Sequence, residues 1–471
     1  MSEQRAETAR GPLADNRRLW VMVLAVIVAS AIAAYGHDYG HGVPAVSNSE
    51  IYRPTPIPDR IVLTWTGDPA TTQAVTWRTD GSVVRAYAEI AVAEDGPAFA
   101  DHSDSYEAVT EEFPLGSTHA HCHTVQFEGL TPATLYAYRV GDGVNWSEWN
   151  QFRTSSNDPE PFTFVYFGDA QNEVHSHWSR VVREAYRDAP RAAFMLHAGD
   201  LINRASADGE WGEWFAASGH IHRMVPCIAT PGNHEYEGTM PLNRLLRRKR
   251  ANDAPELSRH WRPTFAFPEN GPEGLEETVY WLDYQGTRII SLNSNERVED
   301  QTGWLEEVLK TNPNRWTIVT FHHPIYSTNP SRDNVAVRDE WQPLFDEYRV
   351  DLVLQGHDHT YARSGLMVHE NVPTGVTAHN REAGTVYVVS VSGPKMYAVR
   401  DHGEMRRTAE DTQLYQIIHV ESGELRYEAR TATGRLYDAF SLHKQFGAAN
   451  TLVDHIPETP ANIRDATLAG R

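Results

Sequence analysis

The sequence is short of positive charge. It carries 42 Lys and Arg against 63 Asp and Glu among 471 residues, which gives a formal net charge of -21 at pH 7. A negative surface repels phosphate backbones and anionic lipids, which argues against a general nucleic-acid or membrane-surface binder. We therefore expect no nucleic-acid partner. An anionic substrate needs locally placed positive charge, and bound metal ions are one source of it.

Cysteine is scarce, and internal repeats and low-complexity segments are absent. The two cysteines, Cys122 and Cys227, lie far apart in the sequence. An oxidising compartment permits a disulfide, but sequence spacing does not say whether the two side chains meet in space. A disulfide and two separate buried thiols are both open, and no functional argument depends on either.

Long apolar runs are absent except for one near the N-terminus. Leu19–Ala34 has no charged residue and follows Arg17-Arg18. A positive flank, an apolar stretch and the small residues around Ala31-Ile32-Ala33 predict a secretory signal peptide within residues 1–36. The alternative is an uncleaved signal-anchor, which would serve as an N-terminal membrane anchor. Both alternatives predict an exported protein, either secreted, periplasmic or anchored with an extracytoplasmic catalytic domain.

The length of the chain predicts more than one domain. Between residues 58 and 156, short β-rich runs separated by Gly-Asp, Asp-Gly and Thr-Pro turns predict a small antiparallel sandwich. Asn157–Pro161 has two prolines and no apolar residue, so it predicts a linker. Between residues 160 and 445, apolar strands alternating with helical segments predict a layered α/β domain with both sheet faces covered. Residues 446–471 have few large apolar side chains and predict a loosely ordered tail.

Polar clusters follow several apolar runs of the α/β region. In open α/β sheets, ligands bind just outside the carboxyl ends of the strands, where these clusters fall. Carboxylates, an amide and imidazoles are the groups that bind borderline and hard divalent metals. Each cluster is weak alone, but the five together predict a metal site. They are Phe167-Gly168-Asp169, Ala198-Gly199-Asp200, Pro231-Gly232-Asn233-His234-Glu235, Phe321-His322-His323-Pro324 and Gln355-Gly356-His357-Asp358-His359.

The joint pattern resembles the calcineurin-like metallophosphoesterase superfamily and, within it, the purple acid phosphatases. His357–Arg363 is similar to the last signature of that family, and Leu63–Asp68 and Leu130-Thr131-Pro132 resemble its fibronectin-III-like N-terminal domain. The resemblance implies an α/β (α+β) metallophosphoesterase domain built as a four-layer β-sandwich. An all-β fibronectin-III-like sandwich would precede it.

The resemblance also implies how the ligands divide between two metal ions, with Fe, Zn or Mn as candidates. Asp200 would bridge both ions, and Asp169 and His359 would bind the first metal only. The second metal would be completed by Asn233, His322 and His357. His322 is chosen over its neighbour because the family ligand lies two residues before the proline.

Two positions depart from the family pattern. Purple acid phosphatases place a tyrosine three residues after the second aspartate, and its iron-bound phenolate causes their colour; this sequence has Asn203 there. Many other members of the superfamily place a histidine two residues after the first aspartate, where this chain has Gln171. Either side chain could supply a neutral oxygen to the first metal, or water could fill the gap. We expect a protein that is not purple.

The expected enzyme is a hydrolase acting on phosphoric ester bonds, similar to an acid phosphatase, with a phosphate monoester as substrate and hydroxide generated at the dinuclear centre as nucleophile. His234 would contact the phosphoryl group or protonate the leaving group. His323, Asn329 and Arg332 are candidates for substrate binding. One alternative is a phosphodiesterase for nucleotides or phospholipid head groups on the same core. Another is a non-catalytic exported adhesion protein with a vestigial site.

Overall fold

The structure is a computed structural model that describes residues 45–237, 255–368, 384–400, 405–445 and 449–463. The compact unit Asn48–Arg471 contains all of the described strands and helices. None of the helices in these ranges is both long and apolar enough to span a membrane. The apolar run Leu19–Ala34 lies outside the described residues.

The N-terminal part of this unit is an all-β sandwich of two four-stranded antiparallel sheets. Their orders are β1-β2-β6-β5 and β4-β3-β7-β8. Side chains from both sheets, among them Trp77, Phe127 and Tyr138, share one buried core. The strands are β1 Asp59–Thr64, β2 Gln73–Asp80, β3 Tyr87–Val92, β4 Asp104–Glu107, β5 Val109–Leu115, β6 Thr118–Phe127, β7 Leu135–Gly141 and β8 Asn150–Arg153.

The larger part contains two seven-stranded sheets and a two-stranded ribbon, β12-β13. The sheet orders are β11-β10-β9-β21-β22-β23-β24 and β14-β15-β16-β17-β19-β18-β20. The strands are β9 Phe162–Phe167, β10 Met195–His197, β11 Cys227–Ala229, β12 Tyr236–Glu237, β13 Glu256–Leu257, β14 Tyr280–Tyr284, β15 Thr287–Ser291, β16 Trp316–Thr320, β17 Leu352–Gln355, β18 Tyr361–Met367, β19 Thr385–Val389, β20 Met405–Ala409, β21 Leu414–Val420, β22 Glu424–Thr431, β23 Leu436–His443 and β24 Thr451–Asp454.

Helices cover the outer faces of the two large sheets. The α-helices are α1 Asn48–Ile51, α2 Ser179–Asp188, α3 Asp208–Ser218, α4 Trp261–Thr264, α5 Thr302–Lys310 and α6 Val335–Glu347. A single π-helical turn, Val174–Trp178, precedes α2. Short 3₁₀ turns lie at Pro97–His102, Ile221–Arg223, Asn233–Glu235, Glu299–Gln301 and Pro330–Arg332.

Burial shows why these elements stack as four layers. Leu196 of β10 and Leu354 of β17 belong to one core between the two sheets. Strands that are buried on both faces carry apolar side chains in both directions. Val353 of β17 points the opposite way and packs with Leu305 of α5 and Trp341 of α6. The order is therefore helices, sheet, sheet, helices, and the predicted fold class is confirmed.

The two cysteines do not form a disulfide. Cys122 and Cys227 are free thiols, so of the two alternatives the structure has separate cysteines.

The prediction of a loose tail is wrong for Thr451–Asp454, which pairs with β23 as the edge strand β24. An ion pair of 2.6 Å between Arg363 and Asp454 helps to hold this strand, whose alternation is too short to be visible in the sequence.

The two parts are joined by buried polar contacts. Arg60 of β1 donates two hydrogen bonds to the Asp208 carboxylate at the start of α3, at 2.7 and 2.9 Å. Arg78 of β2 lies 3.3 Å from the same carboxylate. The Tyr138 hydroxyl donates to the Arg223 carbonyl at 2.7 Å. Because these groups are removed from water, separating the two parts would leave charges without compensation.

Two histidines are buried among aromatic rings without polar partners. His197 and His222 have ring centroids 5.3 Å apart, and Trp214 stacks on His222 at 4.6 Å. No nitrogen of either imidazole has a hydrogen-bond partner among the described residues. Burial lowers the pKa of His222 to about 3 and that of His197 well below its usual value. Both imidazoles are therefore neutral in the folded protein.

We expect His222→Phe to lose less stability on acidification than the wild type does. The unfolded chain takes up a proton at each histidine below pH 6.5, whereas the folded chain does not, so each costs about 1.4 kcal/mol per pH unit below 6.5. The contribution of the neutral imidazoles to the free energy of unfolding is complete above that pH and is lost as the pH falls. Melting temperatures from pH 7.5 to 5 measure the effect, with exposed His102→Gln as control. Parallel pH profiles of the wild type and His222→Phe would contradict it.

Candidate metal centre

Loops from both large sheets bring the predicted ligands to one edge. Because β9, β10 and β11 run parallel, the loops that follow them leave from the same edge. The same holds for the parallel strands β16 and β17 of the second sheet. The predicted ligands on these loops are Asp169, Asp200, Asn233, His322, His357 and His359.

One group of ligands surrounds Asp169. His359 Nε2 lies 3.3 Å from Asp169 Oδ2. The amide nitrogen of Gln171 lies 3.5 Å from the same oxygen and 3.1 Å from His359 Nε2. It also donates to Asp200 Oδ2 at 2.7 Å. All four side chains are almost fully buried. We call this group the first half of the centre.

The second half consists of an amide and two imidazoles. Asn233 Oδ1 lies 2.8 Å from His357 Nδ1 and 3.2 Å from His322 Nε2. His322 Nε2 is in turn 3.3 Å from Asp200 Oδ2. One ligand atom from each of Asp200, His322 and His357 lies within 4.8 Å of the others. Asp200 thus contacts both halves, as a bridging carboxylate must.

The glycines beside the ligands leave room for the carboxylates. A side chain at Gly232 would collide with the carboxylate of Asp200, and one at Gly356 with that of Asp169. Asp200 and His357 have φ angles of 53° and 70°, in the left-handed region that most residues avoid. Such strain persists only where surrounding contacts determine the backbone, and it is common at functional sites.

Backbone carbonyls fix the orientation of two imidazoles. His322 Nδ1 donates to the Ala198 carbonyl at 2.9 Å, and His359 Nδ1 donates to the Lys395 carbonyl at 2.8 Å. The Nε2 atom of each ring is therefore left without a proton in the neutral form and faces the carboxylates. Such contacts orient histidine ligands of metal ions in general.

The electrostatics of the centre keep two imidazoles neutral. Burial, followed by the charge of Lys395, lowers the pKa of His359 to about 3. Burial also lowers the pKa of His357 well below its usual value. The pKa of Asp169 is raised to about 7 by burial and by the neighbouring charge of Asp200. The pKa of Asp200 is lowered despite its burial, chiefly because His322 lies close to it. A metal cation would relieve the repulsion between the two carboxylates.

Gln171 and Asn203 occupy different positions relative to the centre. Gln171 lies inside the first half, and its Oε1 atom is buried without a hydrogen-bond partner among the described residues. A half-turn of the amide would place that oxygen where the nitrogen now faces Asp200 and His359. The residue therefore fits a metal ion. The backbone carbonyl of Asn203 accepts a hydrogen bond from His234 Nδ1 at 2.6 Å.

The candidate substrate residues lie on the second-half side. His323 packs against His357 with ring centroids 4.4 Å apart, and its Nδ1 is 2.9 Å from Ser294 Oγ. Arg332 bonds to the Asp358 carboxylate and donates to the His357 carbonyl at 3.3 Å. Asn329 Oδ1 accepts from Ser331 Oγ at 2.8 Å and so stabilises its own loop. His323 and Arg332 are thus brought to the centre, whereas the amide oxygen of Asn329 is used locally.

Glu235 has a structural role that the sequence did not predict. Its buried carboxyl group accepts hydrogen bonds from the backbone amides of Gly232, Asp200 and Leu201 at 2.7, 2.8 and 2.8 Å. The amide of Ile202 adds a longer contact of 3.4 Å. Glu235 therefore connects the loops that carry Asn233 and Asp200. The only signal in the sequence was its position directly after the Asn-His pair.

The loop of residues 392–397 also contacts the centre in a way that the sequence did not predict. The amides of Ser392 and Gly393 donate to the Asp169 carbonyl at 3.0 and 2.6 Å. The amide of Tyr397 donates to the His359 carbonyl at 2.8 Å, and the rings of these two residues are 4.6 Å apart. The loop thus lines the first half of the centre. No metal-ligand residue type marks it in the sequence.

Comparison with known families agrees with this geometry. A family model described as calcineurin-like phosphoesterase matches residues 162–361, and one described as the purple acid phosphatase N-terminal domain matches residues 58–154. Residues 162–361 therefore form a calcineurin-like phosphoesterase domain. The chain carries a purple acid phosphatase N-terminal domain in front of the phosphoesterase domain. Purple acid phosphatases use a dinuclear metal centre, and Asp200, His322 and His357 form a group here that could hold a metal ion.

Individual relatives are distant. An uncharacterized protein of Mycobacterium tuberculosis is 28% identical over 63% of this chain and 60% of its own length. The mouse acid phosphatase type 7 is 25% identical over 74% of this chain and 80% of its own. The structure of a purple acid phosphatase from yellow lupin seeds has the same fold, with a TM-score of 0.68 at 19% identity, covering 83% of this chain and 75% of that one. The aligned region spans less than two thirds of the mycobacterial relative.

We expect Gln171→Ala to weaken binding of one metal ion by about tenfold or more, because the first half would lose its neutral oxygen. Gln171→His, which restores the ligand of many superfamily members, should bind that ion more tightly than Gln171→Ala. Calorimetric titration and metal content after dialysis against a chelator measure this, with exposed Gln126→Ala as control. Two ions held by Gln171→Ala with unchanged affinity would contradict the assignment.

We expect Glu235→Gln to destabilise the protein and weaken metal binding. A glutamine presents a donor nitrogen to backbone amides that need an acceptor, and each buried donor left unsatisfied costs about 1–3 kcal/mol. Urea unfolding and metal content of the same preparation report the two effects. Glu94→Gln, at an exposed position, should change neither. A Glu235→Gln protein with wild-type stability would show that the carboxyl group is dispensable.

Proposed function

We propose that the chain hydrolyses phosphate monoesters at a dinuclear metal centre. The main support for this proposal is that Asp200 contacts ligands of both halves, Gln171 Nε2 at 2.7 Å and His322 Nε2 at 3.3 Å. When bound, the two metal ions supply charge for the phosphoryl oxygens and lower the pKa of water so that hydroxide is available. In a chain of net charge -21, the centre also supplies the attraction that an anionic ester needs.

Different side chains would bind the two metal ions. Asp169 and His359, with Gln171, would hold the first ion, and the second-half ligands would hold the other, with Asp200 shared. Fe, Zn and Mn all accept this mixture of oxygen and nitrogen ligands. In the first half, the Tyr397 ring packs on His359. The residue three positions after Asp200, where the family has its metal-bound tyrosine, is Asn203. We therefore propose a centre without the purple colour.

His234 is the proposed proton donor to the leaving group. Its Nδ1 atom donates to the Asn203 carbonyl at 2.6 Å, which fixes the ring, and its Nε2 atom lies 3.9 Å from Asp200 Oδ2. The side chain is 10% exposed, so it lies at the edge of the centre rather than inside it. That position suits a group that must reach a substrate oxygen.

We expect His234→Ala to lower kcat by about 10²–10⁴-fold for alkyl phosphates, whose leaving groups need a proton. The loss should be much smaller for p-nitrophenyl phosphate, because its leaving group departs as an anion. Steady-state kinetics on the metal-loaded protein measures both, with exposed His220→Ala as control. Equal losses for both substrates would contradict proton donation by His234.

The broader proposal is tested on a panel of mono- and diesters after reconstitution with Fe, Zn or Mn, with Asp200→Asn as the inactive reference. Monoester turnover that disappears in Asp200→Asn supports it. Faster turnover of diesters would replace it with the phosphodiesterase alternative. No metal-dependent hydrolysis of any ester would favour an exported binding protein with a vestigial site.

We also propose export of the protein, on the basis of Arg17-Arg18 and the apolar run Leu19–Ala34. Fractionation of the native host with an antibody against the catalytic domain tests this. The signal peptide and the signal-anchor differ in whether the mature N-terminus retains this run.

A further inference from the structure

A lysine and an arginine flank one tyrosine beside the first half of the centre. The Tyr397 ring centroid lies 5.6 Å from Lys395 Nζ and 5.1 Å from Arg332 Cζ. The same ring is 4.6 Å from the His359 ring. These three residues, Arg332, Lys395 and Tyr397, are called the cationic rim. They come from two loops that are far apart in the sequence.

The backbone holds the rim against the metal ligands. The Lys395 carbonyl accepts the Nδ1 proton of His359 at 2.8 Å, and the Tyr397 amide donates to the His359 carbonyl at 2.8 Å. On the other side, Arg332 donates to the His357 carbonyl at 3.3 Å. The rim therefore keeps a fixed position relative to ligands of both halves.

The two cations of the rim differ in how their charge is used. Arg332 forms an ion pair with the buried carboxylate of Asp358, and this pair neutralises the positive charge of the guanidinium locally. Lys395 forms no ion pair with any described residue, and its side chain is half-buried. The sequence has only four lysines, and Lys444, another of them, is paired with Asp351. In an acidic protein, a lysine left unpaired at the edge of an anion-binding centre is available to a ligand.

The surroundings of Tyr397 restrict what that ligand can be. The ring is 36% exposed and contacts His359, Arg332 and Lys395. These contacts cover part of the ring surface on which a nucleobase or another flat ring could stack. An anionic group that accepts hydrogen bonds from the ammonium of Lys395 needs no such surface.

We propose that Lys395, supported by the cationic rim, binds a second anionic group on the leaving-group side of the substrate. The preferred substrates are phosphate esters that carry a further carboxylate or phosphate. This proposal rests on the proposed phosphoesterase function and specifies its substrate class. Lys395 acts here as a specificity-determining residue, while the metal ligands bind the phosphoryl group that is transferred.

The test compares phenyl phosphate with the 3- and 4-carboxyphenyl phosphates, which differ only by the carboxylate. For the metal-loaded wild type, kcat/KM should be higher for at least one carboxylated ester. Lys395→Gln should lower the ratio of kcat/KM for the carboxylated ester to kcat/KM for phenyl phosphate by about tenfold or more, mainly through KM. Lys395→Arg should keep most of the ratio because it keeps the charge. The control Lys310→Gln, at the end of α5, should keep all of it.

Binding of the non-hydrolysable phenylphosphonate and carboxyphenylphosphonates, measured by calorimetry, separates the two proposals. Carboxylate-dependent binding that needs Lys395, in a protein that hydrolyses no ester, would support the rim and overturn the proposed function. Hydrolysis with no preference for carboxylated esters would overturn the rim alone. An equal loss of kcat/KM for both esters in Lys395→Gln would also overturn the role of the rim, because the lysine would then bind the transferred phosphoryl group.

Discussion

The carboxylate of Asp200 has to face two sets of ligands at once, and the surrounding backbone is built to meet that requirement. The residue has a φ of 53°, and its amide is bonded to the buried Glu235 carboxyl group at 2.8 Å. The neighbouring loop approaches so closely that Gly232 has no room for a side chain. Because the same Glu235 bonds both loops, the distance between Asn233 and Asp200 is fixed by hydrogen bonds rather than by chain connectivity.

Most of the fold and the clustering of the candidate ligands could be predicted from the sequence, because metal-binding residue types directly follow the apolar runs. Apolar runs such as Phe162–Phe167 and Leu352–Gln355 are buried on both faces, so they lack the alternation of exposed strands and identify an internal sheet. A glycine and a metal-binding residue type directly after each run then indicate the edge where ligands collect. The order of the layers follows from the same alternation of strands and helices.

The remaining features depend on contacts that leave no local pattern. Glu235 matters because of amides in a loop more than thirty residues away. The loop of residues 392–397 matters because its backbone meets Asp169 and His359, and a lysine or tyrosine in a loop has many commoner roles. The edge strand β24 is defined by pairing with β23 and by Arg363, which no periodicity of four residues could reveal. Tertiary hydrogen bonds and ion pairs, rather than propensity, determine all three.

The order of strands in the first large sheet has a consequence for how the protein is made. Strand β9, which leads to Asp169, lies between β10 and β21, and Tyr166 faces Gln416 across that pairing. The first ligand loop is therefore supported by a strand synthesised near the end of the chain. Pairings between such distant segments form late, because the intervening chain must be ordered first. A ribosome-bound chain that lacks β21 would have an incomplete first sheet, so the loop that carries Asp169 gains this support only after Leu414–Val420 has been synthesised.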